Sequence, residues 1–402
     1  MVGIIAALFA MAADEAQALF GHLLASSPYW PLVIVPAGFA LSSAAAQRLF
    51  PGAQGSGIPQ TIAARQLRDD TARKQLVSVR IAVGKVALTL LGLACGASIG
   101  REGPTVQVGA SILQAAGRAS GRRYQGLLLA GSAAGVAAAF NTPLAGIVFA
   151  IEEMSRSFEQ RTSGLVLTTV IIAGMASLAL LGNYTYFGHS TATLSTPWDW
   201  LAVPVCGIGG GLLGGLFSRI VLAAAQGQGR FIIRAKRHPV AFAASCGLCL
   251  ALLGLASGST IYGTGYQEAK QLLAGSGAVP PTFGLLKMGA TILSSVSGIP
   301  GGIFAPSLAV GAGLGSTLSV LLPWVPVATA VLLGMVGYFA GVVQAPITSF
   351  VIVMEMTDNH AMAIPLMATA LIGYGTSRLS GTKPIYHALA QSFSPPARKA
   401  GG

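Results

Sequence analysis

Glu102 occupies one of two equivalent positions in this chain, and the other position carries no acid. Residues 85–112 align with residues 287–314 without a gap, at nine identities in 28 positions, and this alignment sets Glu102 opposite Phe304. A carboxyl group in apolar sequence can bind and release a proton, and its ionised form resembles a monovalent anion. Glu102 is therefore a candidate to close an anion path when ionised and open it when protonated. Arg101 is expected to orient the turn, and the alternative is a salt-bridged pair that only fixes the loop.

A second aligned stretch ends in a pair of glutamates. Residues 143–152 align with residues 346–355, so Glu152 has a counterpart in Glu355, whereas Glu153 has none. Adjacent residues on a helix point about 100° apart, so the two carboxylates cannot do the same work. We predict a structural role for Glu152 and proton transfer for Glu153. The alternative for Glu153 is a solvated carboxylate at a helix end.

Three glycine-rich turns could hold an anion. They read GSGIP at residues 55–59, GREGP at 100–104 and GGIFAP at 301–306. Backbone amides at a helix start carry partial positive charge, glycine lets the backbone approach a ligand, and proline suits the first helical turn. Ser56 alone would more often belong to an ordinary turn, but three such turns together favour anion binding. The glycines concerned are Gly55, Gly57, Gly100 and Gly103.

The composition predicts an all-α protein that crosses a membrane many times. Of the 402 residues, 53% are hydrophobic and 9% are charged, and the mean hydropathy is +0.69, which exceeds what one soluble core can bury. Several apolar runs approach or exceed the roughly 20 residues that span a bilayer. The long runs cover residues 31–46, 81–99, 126–151, 163–182, 201–225, 239–256 and 325–354. Shorter runs at 105–116 and 303–322 are broken by glycine and proline, as in helices that stop inside the membrane.

Several other functions are disfavoured by the same residues. The formal charge of +12 comes from short basic connecting segments, which favours loops that set topology beside anionic lipid over nucleic-acid binding. The Cys246–Cys249 pair lies in an apolar run, and the five histidines show no metal-ligand spacing, so we predict no metal and no cofactor. The amino-terminal apolar stretch is expected to remain in the protein as a helix. No soluble regulatory domain is expected.

The repeated signals predict two membrane units. The first covers residues 1–185 and the second residues 195–402, separated by a polar stretch. Duplicated membrane units usually meet near the bilayer midplane, where interrupted helices point their ends at a ligand. Whether the two units are parallel or inverted cannot be read from the residues.

The turns GSGIP, GREGP and GGIFAP, followed by KPIYHAL at residues 383–389, resemble the CLC family of chloride channels and proton-coupled chloride antiporters. The motifs come in the family's order and span nearly the whole chain. The resemblance implies a homodimer in which each subunit is an inverted repeat of tilted, partly spanning helices with its own anion path. It implies that the Ser56 and Tyr386 hydroxyls and the amides of Ile303 and Phe304 bind the central anion.

The resemblance also assigns the two acids. It implies that Glu102 is the external gate and that Glu153 is the inner proton-transfer residue, which the family's antiporters carry and its channels typically lack. Ser56 together with Tyr386 favours chloride over the fluoride and nitrate variants of the family. Acidic residues commonly follow GSGIP in the family, whereas Gln60, Thr61 and Ile62 stand here. This difference is expected to alter the inner approach, and a short amino terminus is a second departure.

We therefore expect a proton-coupled chloride antiporter in a bacterial inner membrane, working with chloride, protons and lipid and without a cofactor. The first alternative is a passive chloride channel with the same anion site, in which Glu102 only gates and Glu153 is incidental. The second is an intramembrane hydrolase that uses Ser56 as nucleophile. The hydrolase is disfavoured because no histidine base lies near Ser56 in the sequence.

Overall fold

The computed structural model describes the chain except residues 68, 120–123, 156–159, 183–184, 228–236, 277–278 and 394–402. Within that part the regular structure is helical, with two isolated backbone bridges and no strand. The first half contains α1 Val2–Ser26, α2 Pro31–Arg48, α3 Ile58–Gln66, α4 Asp70–Leu76, α5 Val79–Ala94, α6 Glu102–Ala119, α7 Tyr124–Phe140, α8 Pro143–Phe149 and α9 Gln160–Leu181. The second half contains α10 Ala202–Ala225, α11 Pro239–Ala256, α12 Tyr266–Leu273, α13 Phe283–Val296, α14 Phe304–Ser319, α15 Val327–Val343, α16 Pro346–Thr357, α17 Ala363–Leu379 and α18 Ile385–Ala390.

Five helical stretches of the described chain are long and apolar enough to cross a bilayer. They are Val2–Ser26, Asp70–Ala94, Gly164–Leu181, Pro197–Ala225 and Pro239–Ala256. Other apolar helices are shorter than a bilayer is thick, and α16 has only 12 residues. The fold is therefore a mixture of full spans and partial spans.

Two of the long apolar runs each form two helices rather than one continuous helix. The run 126–151 breaks between α7 and α8, and the run 325–354 breaks between α15 and α16. Each break has the same construction: Asn141 (φ 56°) and Gln344 (φ 58°) adopt the left-handed conformation, and a proline begins the next helix two residues later. A left-handed residue ends a helix, and proline cannot continue one. The chain thus places helix ends inside the protein.

The same succession of helices occurs in both halves. The first nine helices, with the short α4 left out, correspond in order to α10 to α17. This succession supports the division into residues 1–185 and 195–402, which we keep as a proposal. The polar stretch between the halves is described only in part. The basic segment after α10 lies largely outside the described residues.

Glycines at equivalent positions bring helix backbones into contact within each half. A Cβ atom on Gly131 of α7 would overlap the carbonyl of Gly109 on α6. A Cβ atom on Gly311 of α14 would lie 2.6 Å from the carbonyl oxygen of Gly334 on α15. Helices in a membrane associate by such close packing, because apolar side chains gain little by leaving lipid. The high glycine content therefore allows neighbouring helix backbones to pack in direct contact.

The helix ends of α8 and α16 are capped across the two halves. Both carboxylate oxygens of Glu152 accept hydrogen bonds from α16, from the amides of Ile347 (3.0 Å) and Thr348 (2.6 Å). Glu355 does the same for α8 through Leu144 (3.1 Å) and Ala145 (2.6 Å). Carboxylates satisfy the unpaired amides of a helix start and its positive dipole end. These reciprocal contacts give Glu152 a structural role, as the sequence predicts.

Removing either cap is expected to destabilise the protein. Glu152→Ala and Glu355→Ala each leave two amides at a helix start without their carboxylate partner, and losing a helix cap costs about 1–2 kcal/mol. Each variant should therefore melt a few degrees below the wild type in detergent, measured by intrinsic fluorescence. Glu15→Ala, at an exposed position of α1, is the matched control. An unchanged melting temperature in both cap variants would contradict the assignment.

Candidate functional site

The three glycine-rich turns meet at one place and are tied together by their backbones. Gly100 and Gly302 exchange two hydrogen bonds, with N–O distances of 2.7 and 2.8 Å. Gly55 donates to the Ile299 carbonyl (3.2 Å), and its own carbonyl accepts from Gly301 (3.0 Å). The turns that the sequence placed 45 and about 200 residues apart thus form one backbone junction, from which α3, α6 and α14 begin.

Gln60 holds the serine turn in shape. Gly55 (φ 62°) and Gly57 (φ 100°) adopt left-handed backbone conformations that side chains rarely allow. The buried Gln60 side chain accepts from the Gly57 amide (3.1 Å) and donates to the Gln54 carbonyl. A carboxylate could not make the second bond, because it only accepts. Sequence reasoning treated Gln60 only as a missing charge and did not find this contact.

Two buried lysines brace equivalent turns. The Lys85 ammonium donates to the carbonyls of Gln54 (3.3 Å) and Gly55 (2.8 Å). Lys287 donates to three successive carbonyls of the turn before α12. These acceptors are Ile261 (2.8 Å), Tyr262 (3.2 Å) and Gly263 (2.7 Å). The sequence analysis missed this role, although the two lysines open the aligned stretch of 28 residues and that alignment was the available signal.

The predicted anion-site hydroxyls lie together in the interior. Ser56 is 8% exposed and Tyr386 is fully buried, and the Tyr386 phenol lies beside the Ser56 hydroxyl. Neither hydroxyl makes a well-formed hydrogen bond among the described residues, the contact between the two included. A buried polar group without a partner is costly, so two at one place indicate a site that a ligand completes.

The Glu102 carboxylate lies at the same junction. Glu102 begins α6, is 1% exposed, and its side chain folds back so that a Cβ atom on Gly100 would overlap it. Its oxygens approach the amide of Ala305 in the first turn of α14, with no well-formed hydrogen bond among the described residues. The carboxylate therefore faces the positive end of a helix without a capping contact. Gly103 is as closely packed, against the Ser56 hydroxyl.

Ile303 and Phe304 form the start of α14. Ile303 precedes the helix without a side-chain cap, and both residues are buried. The Phe304 ring packs between Phe140 (5.3 Å between ring centroids) and Phe339 (4.2 Å). The aromatic ring thus anchors the turn while its backbone stays at the junction. Phe304 is the residue equivalent to Glu102, and it uses its side chain for packing rather than charge.

Arg101 points away from the junction. Its guanidinium donates to the Ala10 carbonyl (2.7 Å) and to the Asp14 carboxylate (2.8 Å), both on α1. It lines an open cavity of about 710 Å³ with Asp14, Gln17 and Glu268. Arg101 therefore ties the start of α6 to α1, and its orienting role at the turn remains a prediction.

Glu153 lies just after α8 and contacts His387 of α18. The helix α8 continues into a π-helical turn at Ala150–Ser155, and Glu153 is buried within it while Glu152 turns to α16. The His387 imidazole contacts Glu153: Nε2 lies 2.8 Å from the carbonyl oxygen and 3.6 Å from Oε1 of the carboxylate. His387 directly follows Tyr386 on α18. Sequence reasoning noted this position of His387 but did not connect it with Glu153.

The site therefore unites most of the residues selected from the sequence. Ser56, Tyr386 and Glu102 meet with the start of α14, whereas Glu153 forms a separate centre with His387. Among the described residues no cluster of three His, Cys, Asp or Glu side chains could hold a metal ion.

Comparison with known proteins identifies the family. The family model described as "Voltage gated chloride channel" matches residues 38–378. The chain is 31% identical over 424 aligned positions to the H(+)/Cl(-) exchange transporter ClcA of Yersinia pestis bv. Antiqua (strain Angola), covering 97% of this chain and 85% of that protein. It is 32% identical to the protein of the same name from Salmonella arizonae (strain ATCC BAA-731 / CDC346-86 / RSK2980), covering 89% and 78%.

Solved structures agree with the fold. A slow cyanobacterial Cl-/H+ antiporter superposes with a TM-score of 0.80 at 26% identity, covering 97% of this chain and 95% of that one. A CLC-type fluoride/proton antiporter shares the fold, with a TM-score of 0.79 at 22% identity over 94% and 93% of the two chains. The predicted all-α CLC architecture is confirmed, and the chain is an integral, multi-pass membrane protein of the voltage-gated chloride channel family.

Proposed function

We propose that this protein is a secondary transporter that exchanges chloride for protons. The observation that carries the proposal is a pair of buried, unpartnered hydroxyls, Ser56 and Tyr386, with one buried carboxylate towards each end, Glu102 and Glu153. The hydroxyls and helix-start amides suit an anion, and the carboxylates suit protons. Matched relatives of this chain are named as H(+)/Cl(-) exchange transporters.

Chloride is held by neutral donors in this proposal. The Ser56 and Tyr386 hydroxyls and the amides of Ile303 and Phe304 donate, and the positive end of α14 adds a dipole. The nearest cations are already committed to other acceptors, since Lys85 is directed at backbone carbonyls and Arg101 at Asp14. An anion that meets only partial charges can bind and also leave, which transport requires.

Glu102 acts as the gate in this proposal. Its ionised carboxylate needs the donors at the start of α14 that chloride also needs, so the two anions compete for one place. A protonated carboxyl loses that attraction and swings out, which opens the path and carries a proton to the outer mouth beside Arg101 and Asp14. Exchange of a chloride for a proton at one position couples the two movements.

The positions of the basic residues indicate how the protein is oriented in the membrane. Arg65 donates to the Met154 carbonyl, so the basic segment that begins there lies at the Glu153 end. Arg118 joins the same end through Asp70 (2.8 Å). Positive residues accumulate on the cytoplasmic side of membrane proteins. We therefore place Glu153 towards the cytoplasm and Glu102 towards the outside, in the inner membrane of a bacterium, with two subunits forming a homodimer.

Two alternatives make different use of the same residues. A passive channel needs Glu102 as a gate but has no use for Glu153, whose burial beside His387 therefore favours antiport. A hydrolase needs a base near Ser56, but the neighbour of its hydroxyl is the Tyr386 phenol, and the adjacent His387 contacts Glu153 instead. Neither alternative accounts for both carboxylates.

Proton coupling should depend on both acids. In liposomes with a chloride gradient and the potential clamped by valinomycin and potassium, the wild type should move protons against their gradient, recorded as external pH. Glu102→Gln and Glu153→Gln should keep chloride flux and lose proton movement, because a neutral amide carries no proton. Glu15→Gln, an exposed acid on α1, should behave as wild type. Chloride flux without proton movement in the wild type would make the protein a channel.

Anion affinity should depend on the two hydroxyls. Tyr386→Phe and Ser56→Ala each remove one donor, and a hydrogen bond to a charged group is worth about 1.5–3 kcal/mol, or roughly tenfold to a hundredfold in Kd. Calorimetric titration of the purified protein with chloride would measure this loss. Tyr374→Phe, on α17 away from the site, is the matched control. Unchanged chloride binding in both site variants would contradict the anion site.

A further inference from the structure

His387 contacts the buried Glu153 carboxylate and is itself partly exposed. Its side chain is 20% exposed, whereas the Glu153 side chain that it contacts is 3% exposed. A buried carboxylate that exchanges protons with water needs a group that reaches both. Among the described residues that contact Glu153, the imidazole meets this requirement at 3.6 Å from the carboxylate.

The contact fixes which ring nitrogen carries the proton. Nε2 lies 2.8 Å from the Glu153 carbonyl oxygen, and a carbonyl can only accept, so Nε2 must donate. In the neutral ring the lone pair is then on Nδ1, which is the nitrogen that takes up a second proton. The same Nε2–H has the carboxylate Oε1 as a second, more distant acceptor. A charged ring would be drawn towards that acceptor.

We propose that His387 carries protons between the cytoplasmic solution and Glu153. This proposal rests on the antiport function proposed above, with Glu153 as the inner proton site. A proton from hydronium binds the Nδ1 lone pair and forms an imidazolium. The Nε2–H bond then breaks, its electron pair stays on nitrogen, and the proton bonds to the carboxylate Oε1. The neutral ring regains its Nε2–H by exchange with water, with no net change.

The described elements packed against α18 carry few charged residues. Of the described elements packed against α18, α3 contributes Arg65 and α10 contributes Arg219, while α15 and the turn at Gln391–Phe393 carry no charge. The Glu152 carboxylate is turned to the amides of α16. The described acid in contact with the imidazole is Glu153. Arg156 and Glu159 follow in the sequence and lie outside the described residues.

His387→Gln tests the relay, because glutamine keeps a donor for the Glu153 carbonyl but cannot pass a proton on. In the liposome assay, proton flux should fall by tenfold or more, on the order of a positioned acid–base group, while chloride flux persists as in Glu153→Gln. The wild-type proton flux should fall as the pH at that side rises, because imidazole loses its charge, and the variant should lack this dependence. His22→Gln, an exposed histidine on α1, is the control.

Chemical rescue separates a relay from a structural contact. In His387→Ala, added imidazole should restore at least part of the lost proton flux, because a free ring can carry the proton that the missing side chain carried. His387→Asn provides a second variant, and calorimetric chloride binding checks that each protein is folded. Wild-type proton flux in His387→Gln would overturn the relay while antiport stands. Loss of proton flux in His387→Ala that imidazole does not restore would do the same. Absence of proton movement in the wild type would overturn both proposals.

Discussion

The structure depends on satisfying helix ends that lie inside the protein. A backbone amide or carbonyl without a partner in an apolar interior costs several kcal/mol, so broken helices need partners supplied by the chain. Glu152 and Glu355 supply them for α16 and α8, and Lys85 and Lys287 supply them for the carbonyls of two turns. The start of α14 is treated differently. It lacks a side-chain cap, and the unpartnered Ser56 and Tyr386 hydroxyls lie nearby. Selective capping thus separates structural helix ends from a ligand site.

The two halves share their structural solutions and differ where ligands act. The lysine braces and the glutamate caps occupy aligned positions, and so do the glycine contacts between helices. Glu102 and Phe304 also occupy aligned positions, but one is an acid facing a helix start and the other is a ring packed between two phenylalanines. Equivalent backbones thus carry unequal side chains, and in the proposed function only the first half would supply a gate.

Sequence reasoning predicted the family, the helical class and the residues at the junction, because aligned repeats and glycine turns are visible without coordinates. It did not predict the breaks at Asn141 and Gln344, since apolar composition continues through them and only the following prolines mark a helix start. It also missed the contacts of Gln60, whose side-chain amide accepts one hydrogen bond and donates another. A further omission is the contact between His387 and Glu153, which are 234 residues apart in the sequence. Contacts of this kind depend on how the halves dock, and local patterns do not encode that.

The arrangement separates the two transported species by the chemistry of their ligands. Cations that would trap chloride are turned to carbonyls or to Asp14, so the central donors remain neutral. In the proposed function the proton-binding groups are Glu102, which approaches the start of α14, and Glu153, which contacts a partly exposed imidazole. Because Tyr386 and His387 are neighbours on α18, the inner edge of the anion site and the contact to Glu153 belong to one rigid segment. If chloride binds at Tyr386 and a proton at Glu153, as proposed, a displacement of α18 would alter both contacts at once, because one short helix carries both residues.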